Sequence, residues 1–169
     1  MTSGRAIGVN KLWAPWRKKF LTHPKPKNCI FCSKPKSRQD RKNLILERGE
    51  KVFTILNLYP YNNGHLMIAP YRHVASPDEL EKAEWDELFF YLRRCQAALR
   101  DKLKPEGYNM GMNVGKSAGA GFDGHIHFHI VPRWVGDTNF MPVVAGEKVI
   151  SESLDALHSH LMKALRSIR

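Results

Sequence analysis

The sequence predicts an α+β fold: an antiparallel sheet with one long helix and a C-terminal helix. Three observations carry that expectation. Short apolar runs recur between turn-forming residues, one long stretch keeps helical spacing, and one segment near residue 125 alternates with period two. Their order, strands then a long helix, then strands and a last helix, matches segregated layers and not a chain of βαβ units.

At the N-terminal side, residues 1–27 form a basic and aromatic arm ahead of a single domain over 28–169. Met1 to Asn10 has little periodicity and reads as loosely attached. Trp13 and Trp16, with Leu12 and Phe20, are expected to pack on the body of their own subunit or on a partner. His23, Pro24 and Pro26 read as an extended linker.

Leu44 to Glu47 and Lys51 to Leu56 read as two short strands around Gly49, and His65 to Pro70 as a third. The turn between the last two holds Pro60, Asn62, Asn63 and Gly64. A helix is predicted to start at Ser76, where a Ser N-cap, Pro77 in the first turn and Glu79 complete a capping box. Leu80, Leu88, Leu92, Cys95, Leu99 and Leu103 give it an apolar stripe. Pro105 and Gly107 stop it near Lys104, and Cys95 belongs to the core as an inert thiol.

Tyr108 to Val114 reads as a fourth strand, followed by a glycine-rich loop over Gly115 to Gly124. In the next strand, His125, His127 and His129 fall on one face, about 6.6 Å apart at each step. Ile126, Phe128 and Ile130 face the core. A line of imidazoles suits a metal or a phosphorylated ligand. Ser151 to Ile168 forms the terminal helix, with Leu154, Leu157, Leu161 and Leu165 inward and His158 and His160 facing solvent.

The 169 residues suffice for one domain with a sizeable core. A net charge of +11, from 27 basic and 16 acidic residues, favours anionic partners without choosing among them. No recognition-helix pattern supports a nucleic-acid-binding protein. No apolar run is long enough to span a bilayer, and three cysteines do not make a secreted disulfide framework, so the cytoplasm is the expected compartment.

Cys29 and Cys32, separated by two residues, can chelate one tetrahedral metal ion or serve as a redox dithiol. Two glycine patterns carry less than they suggest. Gly119, Gly121 and Gly124 have dinucleotide-fingerprint spacing, but a strand follows where a helix is required. Gly115, Lys116 and Ser117 imitate a P-loop end, yet the spacing from Gly111 is one residue short. What remains is a loop whose backbone N–H groups can cradle an anion beside the histidines.

With these residues assembled, the chain resembles the histidine-triad (HIT) superfamily, whose signature is matched by His125, His127 and His129 with their alternating apolar neighbours and Val131. Leu12 to Arg17, and Pro132 to Phe140 after the triad, look like the branch of bacterial diadenosine tetraphosphate (Ap4A) phosphorylase-like proteins. The resemblance implies a HIT-like fold and a homodimer. It also implies a structural zinc ion held by Cys29, Cys32, His73 and His125. By the same resemblance His127 is the nucleophile that attacks the α-phosphorus of a dinucleoside polyphosphate. A backbone carbonyl near His129 sets its tautomer, and His65 and His129, if protonated, bind the phosphate and assist the leaving group. Asn57 meets the ribose, and Asn113, Ser117, Gly119 and Gly121 lie along the phosphates. Gly121 departs from the family, where Gln or Ser often stands at that position. Trp134 either stacks on adenine or plugs a core edge. Inorganic phosphate as second acceptor makes a phosphorylase giving ADP and ATP; water makes a hydrolase releasing AMP. A nucleotide-binding regulator without turnover is the remaining reading, and the intact triad argues against it.

Overall fold

A computed structural model describes residues 28–119, 121–137 and 152–168. The basic and aromatic arm over 1–27, with Trp13 and Trp16, lies outside the described residues, as does the segment over 138–151. Two short helical turns, α1 (Ile30–Ser33) and α2 (Asp40–Asn43), precede β1 (Ile45–Arg48), β2 (Val52–Leu56) and β3 (Leu66–Pro70). The long helix α3 (Lys82–Leu103) follows, then β4 (Gly107–Met112), β5 (Phe128–Arg133) and α4 (Leu154–Ser167). The five strands form one antiparallel sheet in the order β1-β2-β3-β5-β4. The expected α+β architecture is present.

Alternation along the strands builds two different faces. Val52, Leu56, Leu66, Ile68 and Ile130 turn toward α3 and α4, where Leu88, Cys95, Leu99, Leu157 and Leu161 complete the main core. Phe53, Ile55, Met67 and Ala69 turn the other way, onto Phe31 of α1. The histidines stand on this second face, with His129 opposite Met67 in the β3–β5 register.

Two glycines permit close approaches. A Cβ on Gly49 would lie 2.6 Å from the Glu87 carboxylate, which accepts the backbone N–H groups of Glu50, Lys51 and Val52. Gly64 takes φ +77, and a Cβ there would meet Leu103 at 2.5 Å.

The helix predicted from Ser76 starts later. The Ser76–Glu79 capping box does form, but it closes only a 3-10 turn over Pro77–Glu79. Leu80 then goes extended and buries its side chain beside Val74 and Ile126, away from the helix stripe. A second capping box, Glu81 with Glu84, opens α3 at Lys82. At the other end Lys104 takes a left-handed conformation one residue before Pro105, as the stop signal implies.

Two more expectations are corrected. The histidine strand begins at Phe128, because Ile126 N–H donates to Val74 O and draws His125 to His127 off the ladder. His158 is buried and not solvent-facing; its Nε2–H donates to the Ile45 carbonyl at 2.8 Å, satisfying a polar group of edge strand β1. His160 is exposed and paired with Glu152, and α4 begins at Leu154 under a Ser153 N-cap. Among the described residues no helix is long and apolar enough to cross a membrane.

Candidate active site and metal centre

Departure of His125 from the ladder brings it to the CxxC turn. Nδ1 of His125 lies 3.4 Å from Cys29 Sγ and 3.6 Å from Cys32 Sγ, and His73 Nδ1 lies 3.3 Å from Cys32 Sγ. The two imidazole nitrogens are 3.2 Å apart, and all four donor atoms fall within 4.8 Å of one another. A tetrahedral ion with ordinary thiolate and imidazole bond lengths requires edges of about 3.5 Å (S to N) and about 3.3 Å (N to N). Cys29, Cys32, His73 and His125 therefore fit one metal ion. The second shell agrees: His125 Nε2–H donates to the Pro70 carbonyl at 2.9 Å, leaving Nδ1 as the lone-pair nitrogen. Burial pushes the His125 imidazole down to about 4 and the Cys29 thiol up to about 11. The first keeps the ring neutral and ready to ligate; the second leaves thiolate formation dependent on a bound cation.

His127 is tied to the same centre through the backbone. Its Nδ1–H donates to the His125 carbonyl at 2.8 Å, so the lone pair is on Nε2. The tautomer-setting carbonyl is thus that of His125 and not one near His129. Phe31, between the two cysteines, stacks on the His127 ring with centroids 4.6 Å apart. Burial lowers the His127 pKa from the ordinary histidine value, holding the ring neutral.

The second pair comes from the β2–β3 turn and β5. His65 is fully buried, and its Nε2 lies 2.8 Å from His129 Nδ1. Nδ1 of His65 receives the Tyr61 N–H at 3.0 Å and faces Asn57 Nδ2 at 3.2 Å. Tyr61 lays its ring against both imidazoles. Burial, reinforced by His127, pushes the His129 pKa down to about 3, which keeps this ring neutral in the structure. His129 Nε2 is buried without a hydrogen-bond partner among the described residues. The His127 and His129 rings meet edge to face, 4.7 Å between centroids. Side by side, the two histidines offer a lone pair on His127 Nε2 and an unpartnered ring nitrogen on His129.

The remaining predicted residues fall in the loop between β4 and β5 and just after β5. Asn113 follows β4, Ser117 is exposed in a 3-10 turn over Lys116–Ala118, and Gly119 takes φ +82 just after it. Gly121 and Trp134 are half-buried, and Trp134 N–H donates to Asp137. Among the described residues neither Asn113 nor Ser117 is hydrogen-bonded to a histidine. Phe31 and Tyr61 are the contacts that sequence patterns did not single out. Phe31 lies inside the CxxC spacing and Tyr61 four residues before His65, but no pattern assigns a ring contact to either.

Comparison with known proteins gives the family and the fold. The family profile described as HIT domain matches residues 37–135. A Mycobacterium tuberculosis protein named AP-4-A phosphorylase is 36% identical over 159 residues, covering 89% of this chain and 82% of its own. The Dictyostelium discoideum bis(5'-adenosyl)-triphosphatase is 30% identical over 93 residues, covering 55% of this chain and 62% of its own. Among solved structures, a zinc-bound histidine triad family protein from Mycobacterium smegmatis superposes with a TM-score of 0.62 at 22% identity. That match covers 82% of this chain and 94% of the other.

Proposed function

The chain belongs to the histidine-triad (HIT) family, and from that premise we propose that it is a nucleotidyltransferase that cleaves dinucleoside polyphosphates, with Ap4A and inorganic phosphate giving ADP and ATP. The observation that carries this reading is a pair of neighbouring histidines, one with its lone pair on Nε2 (His127) and one whose buried Nε2 has no partner among the described residues and can donate a hydrogen bond (His129). A phosphoryl centre needs both: an electron pair at phosphorus and a hydrogen bond to the oxygen that gains charge.

In the first step His127 Nε2 forms a bond to the α-phosphorus of Ap4A while the bond from that phosphorus to its bridging oxygen breaks. ATP leaves, and an adenylyl group remains on His127. His129 Nε2–H stabilises charge on the phosphate oxygens during the exchange. Inorganic phosphate then attacks the same phosphorus, forming ADP and freeing His127. Dividing one displacement into two lets a single nucleophile serve both partners. Asn57 contacts the ribose, Trp134 faces the adenine side, and Asn113, Ser117, Gly119 and Gly121 line the phosphates. With Gly121 offering no side chain, backbone N–H groups of the loop supply the contacts there.

Cys29, Cys32, His73 and His125 would hold zinc. Four protein ligands close the coordination sphere, so a bound zinc ion supplies structure and no open position for substrate. The sequence resemblance to the phosphorylase favours phosphate as the second acceptor; the resemblance to the triphosphatase supports water, and AMP release, as the second reading. We further infer a homodimer, since β4 ends the sheet with Met110 exposed. The free thiols suit a reducing compartment such as the cytoplasm. Incubation with Ap4A, with and without inorganic phosphate, tests the reaction. ADP with ATP only in the presence of phosphate is the expected result; AMP in both arms means hydrolysis, and no turnover overturns the enzyme reading for this substrate.

A further inference from the structure

We propose that Asn57 is a positioning residue that, together with the Tyr61 backbone N–H, sets the proton register of the His65–His129 pair, so that His129 presents N–H, and not a lone pair, at the reaction centre. This goes beyond contact with the ribose, and its consequence for turnover rests on the proposed reaction.

The amide of Asn57 has only one orientation that fits its neighbours. Its Oδ1 accepts the Tyr59 N–H at 2.9 Å, which turns Nδ2 toward His65 Nδ1 at 3.2 Å. The Tyr61 backbone N–H reaches the same nitrogen at 3.0 Å. Two donors thus converge on His65 Nδ1, and a hydrogen on that nitrogen would oppose both. A neutral ring must then carry its hydrogen on Nε2, which faces His129 Nδ1 at 2.8 Å. That bond makes His129 Nδ1 the acceptor and leaves its hydrogen on Nε2, the buried nitrogen without a partner among the described residues. The chain of assignments runs from Asn57, oriented by Tyr59, and from the Tyr61 N–H to His65 and then to His129.

Both rings are shielded while this holds. His65 is 0% and His129 8% exposed, and the Tyr61 ring covers them at centroid distances of 4.6 and 5.7 Å. Water therefore has little access to supply a replacement donor. The second hydrogen of Asn57 Nδ2 remains for the ribose, so the two roles are compatible.

Asn57→Asp is the discriminating substitution because it keeps the shape and inverts one partner. One carboxylate oxygen still accepts from Tyr59; the other turns an acceptor toward His65 Nδ1 and demands a hydrogen there. His65 then either moves its hydrogen to Nδ1 or becomes an imidazolium. In the first case His129 donates through Nδ1 and offers a bare lone pair to the phosphate, which repels it. In the second, the buried pair carries a charge. Asn57→Ala removes one donor and leaves Tyr61 N–H in place, so the register persists.

The experiment uses the metal-loaded full chain labelled with [15N]histidine, with two-bond 1H–15N correlation spectra recorded without substrate. The parent and Asn57→Ala are expected to show His65 and His129 as neutral Nε2–H tautomers. Asn57→Asp is expected to show His65 with a hydrogen on Nδ1, and Ap4A turnover reduced about a hundredfold, the scale of a lost general-acid or donor contact. A parent spectrum with Nδ1–H at His65, or an Asn57→Asp spectrum unchanged from the parent, overturns the proposal; the parent spectrum alone suffices should the variant not fold. Spectra as expected in a protein that does not turn over Ap4A leave the register standing and sink the substrate assignment instead.

Discussion

Phe31 and His127 lie face to face, with ring centroids 4.6 Å apart and planes inclined by 28°. Phe31 is 1% exposed and also touches the His125 ring at 5.2 Å. The side chain between the two cysteines therefore holds the ring two residues beyond the histidine they share. Phe31→Leu keeps an apolar side chain but no flat face, at a stability cost of about 1–2 kcal/mol. The expected result is a kcat for Ap4A lowered about tenfold with KM nearly unchanged, since a loosened nucleophile affects the transition state more than binding. Equal kcat in parent and variant would show that stacking on Phe31 does not position His127.

Metal content separates the neighbouring histidines. Cys29→Ser and His125→Ala should lose the ion measured in the parent by elemental analysis, whereas His127→Ala should retain it. Chelation of the parent should lower its melting temperature, because an ion held by these four residues would tie the α1 turn to the segments after β3 and before β5. Undiminished metal in Cys29→Ser would place the ion elsewhere.

Turnover separates them in the other direction. His127→Ala is expected to lose Ap4A cleavage by about three orders of magnitude or more, as in other enzymes deprived of a covalent nucleophile. Calorimetric titration should still detect Ap4A binding, since the loop, Asn57 and Trp134 are untouched. Persisting activity would move the nucleophile to another residue.

Local patterns made the frame legible. Period-two alternation placed His127 and His129 opposite Phe128 and Ile130, and the stop signal at Pro105 placed the end of α3. Alternation did not reveal that His125 leaves the ladder, because that depends on the Val74 carbonyl, 52 residues away from Ile126 in the chain. The metal cluster joins Cys29 to His125 across 96 positions, a distance that only the family resemblance spanned. Ser76 misled for a different reason: two capping boxes in succession compete, and burial of Leu80 decides for the second. His158 misled because an edge-strand carbonyl leaves no mark in the sequence.

That second capping box carries a prediction about acid stability. Glu84 is 1% exposed; it accepts the Glu81 N–H at 2.8 Å and two guanidinium hydrogens of Arg72 at 2.9 and 2.8 Å. Arg72 holds the Glu84 carboxyl below the usual glutamate range. A carboxyl with a depressed folded-state pKa contributes its full stabilisation above the unfolded value, about 4.3, and loses it as pH falls through the folded value. Glu84→Gln should therefore destabilise the protein at pH 7 by about 1–2 kcal/mol, less than for a fully buried pair because Arg72 is 45% exposed. Below pH of about 4 the parent loses this advantage and the two unfolding curves should converge. Asp40 and Asp155, held low by Arg48 and Arg41, titrate in both proteins and cancel in the difference. Denaturant unfolding of both proteins across this range measures that difference, and a gap that stays constant from pH 7 to 3 would mean that shape, and not charge, is what Glu84 contributes. Arg72 directly precedes His73, so the ion pair anchors the backbone that carries a candidate metal ligand.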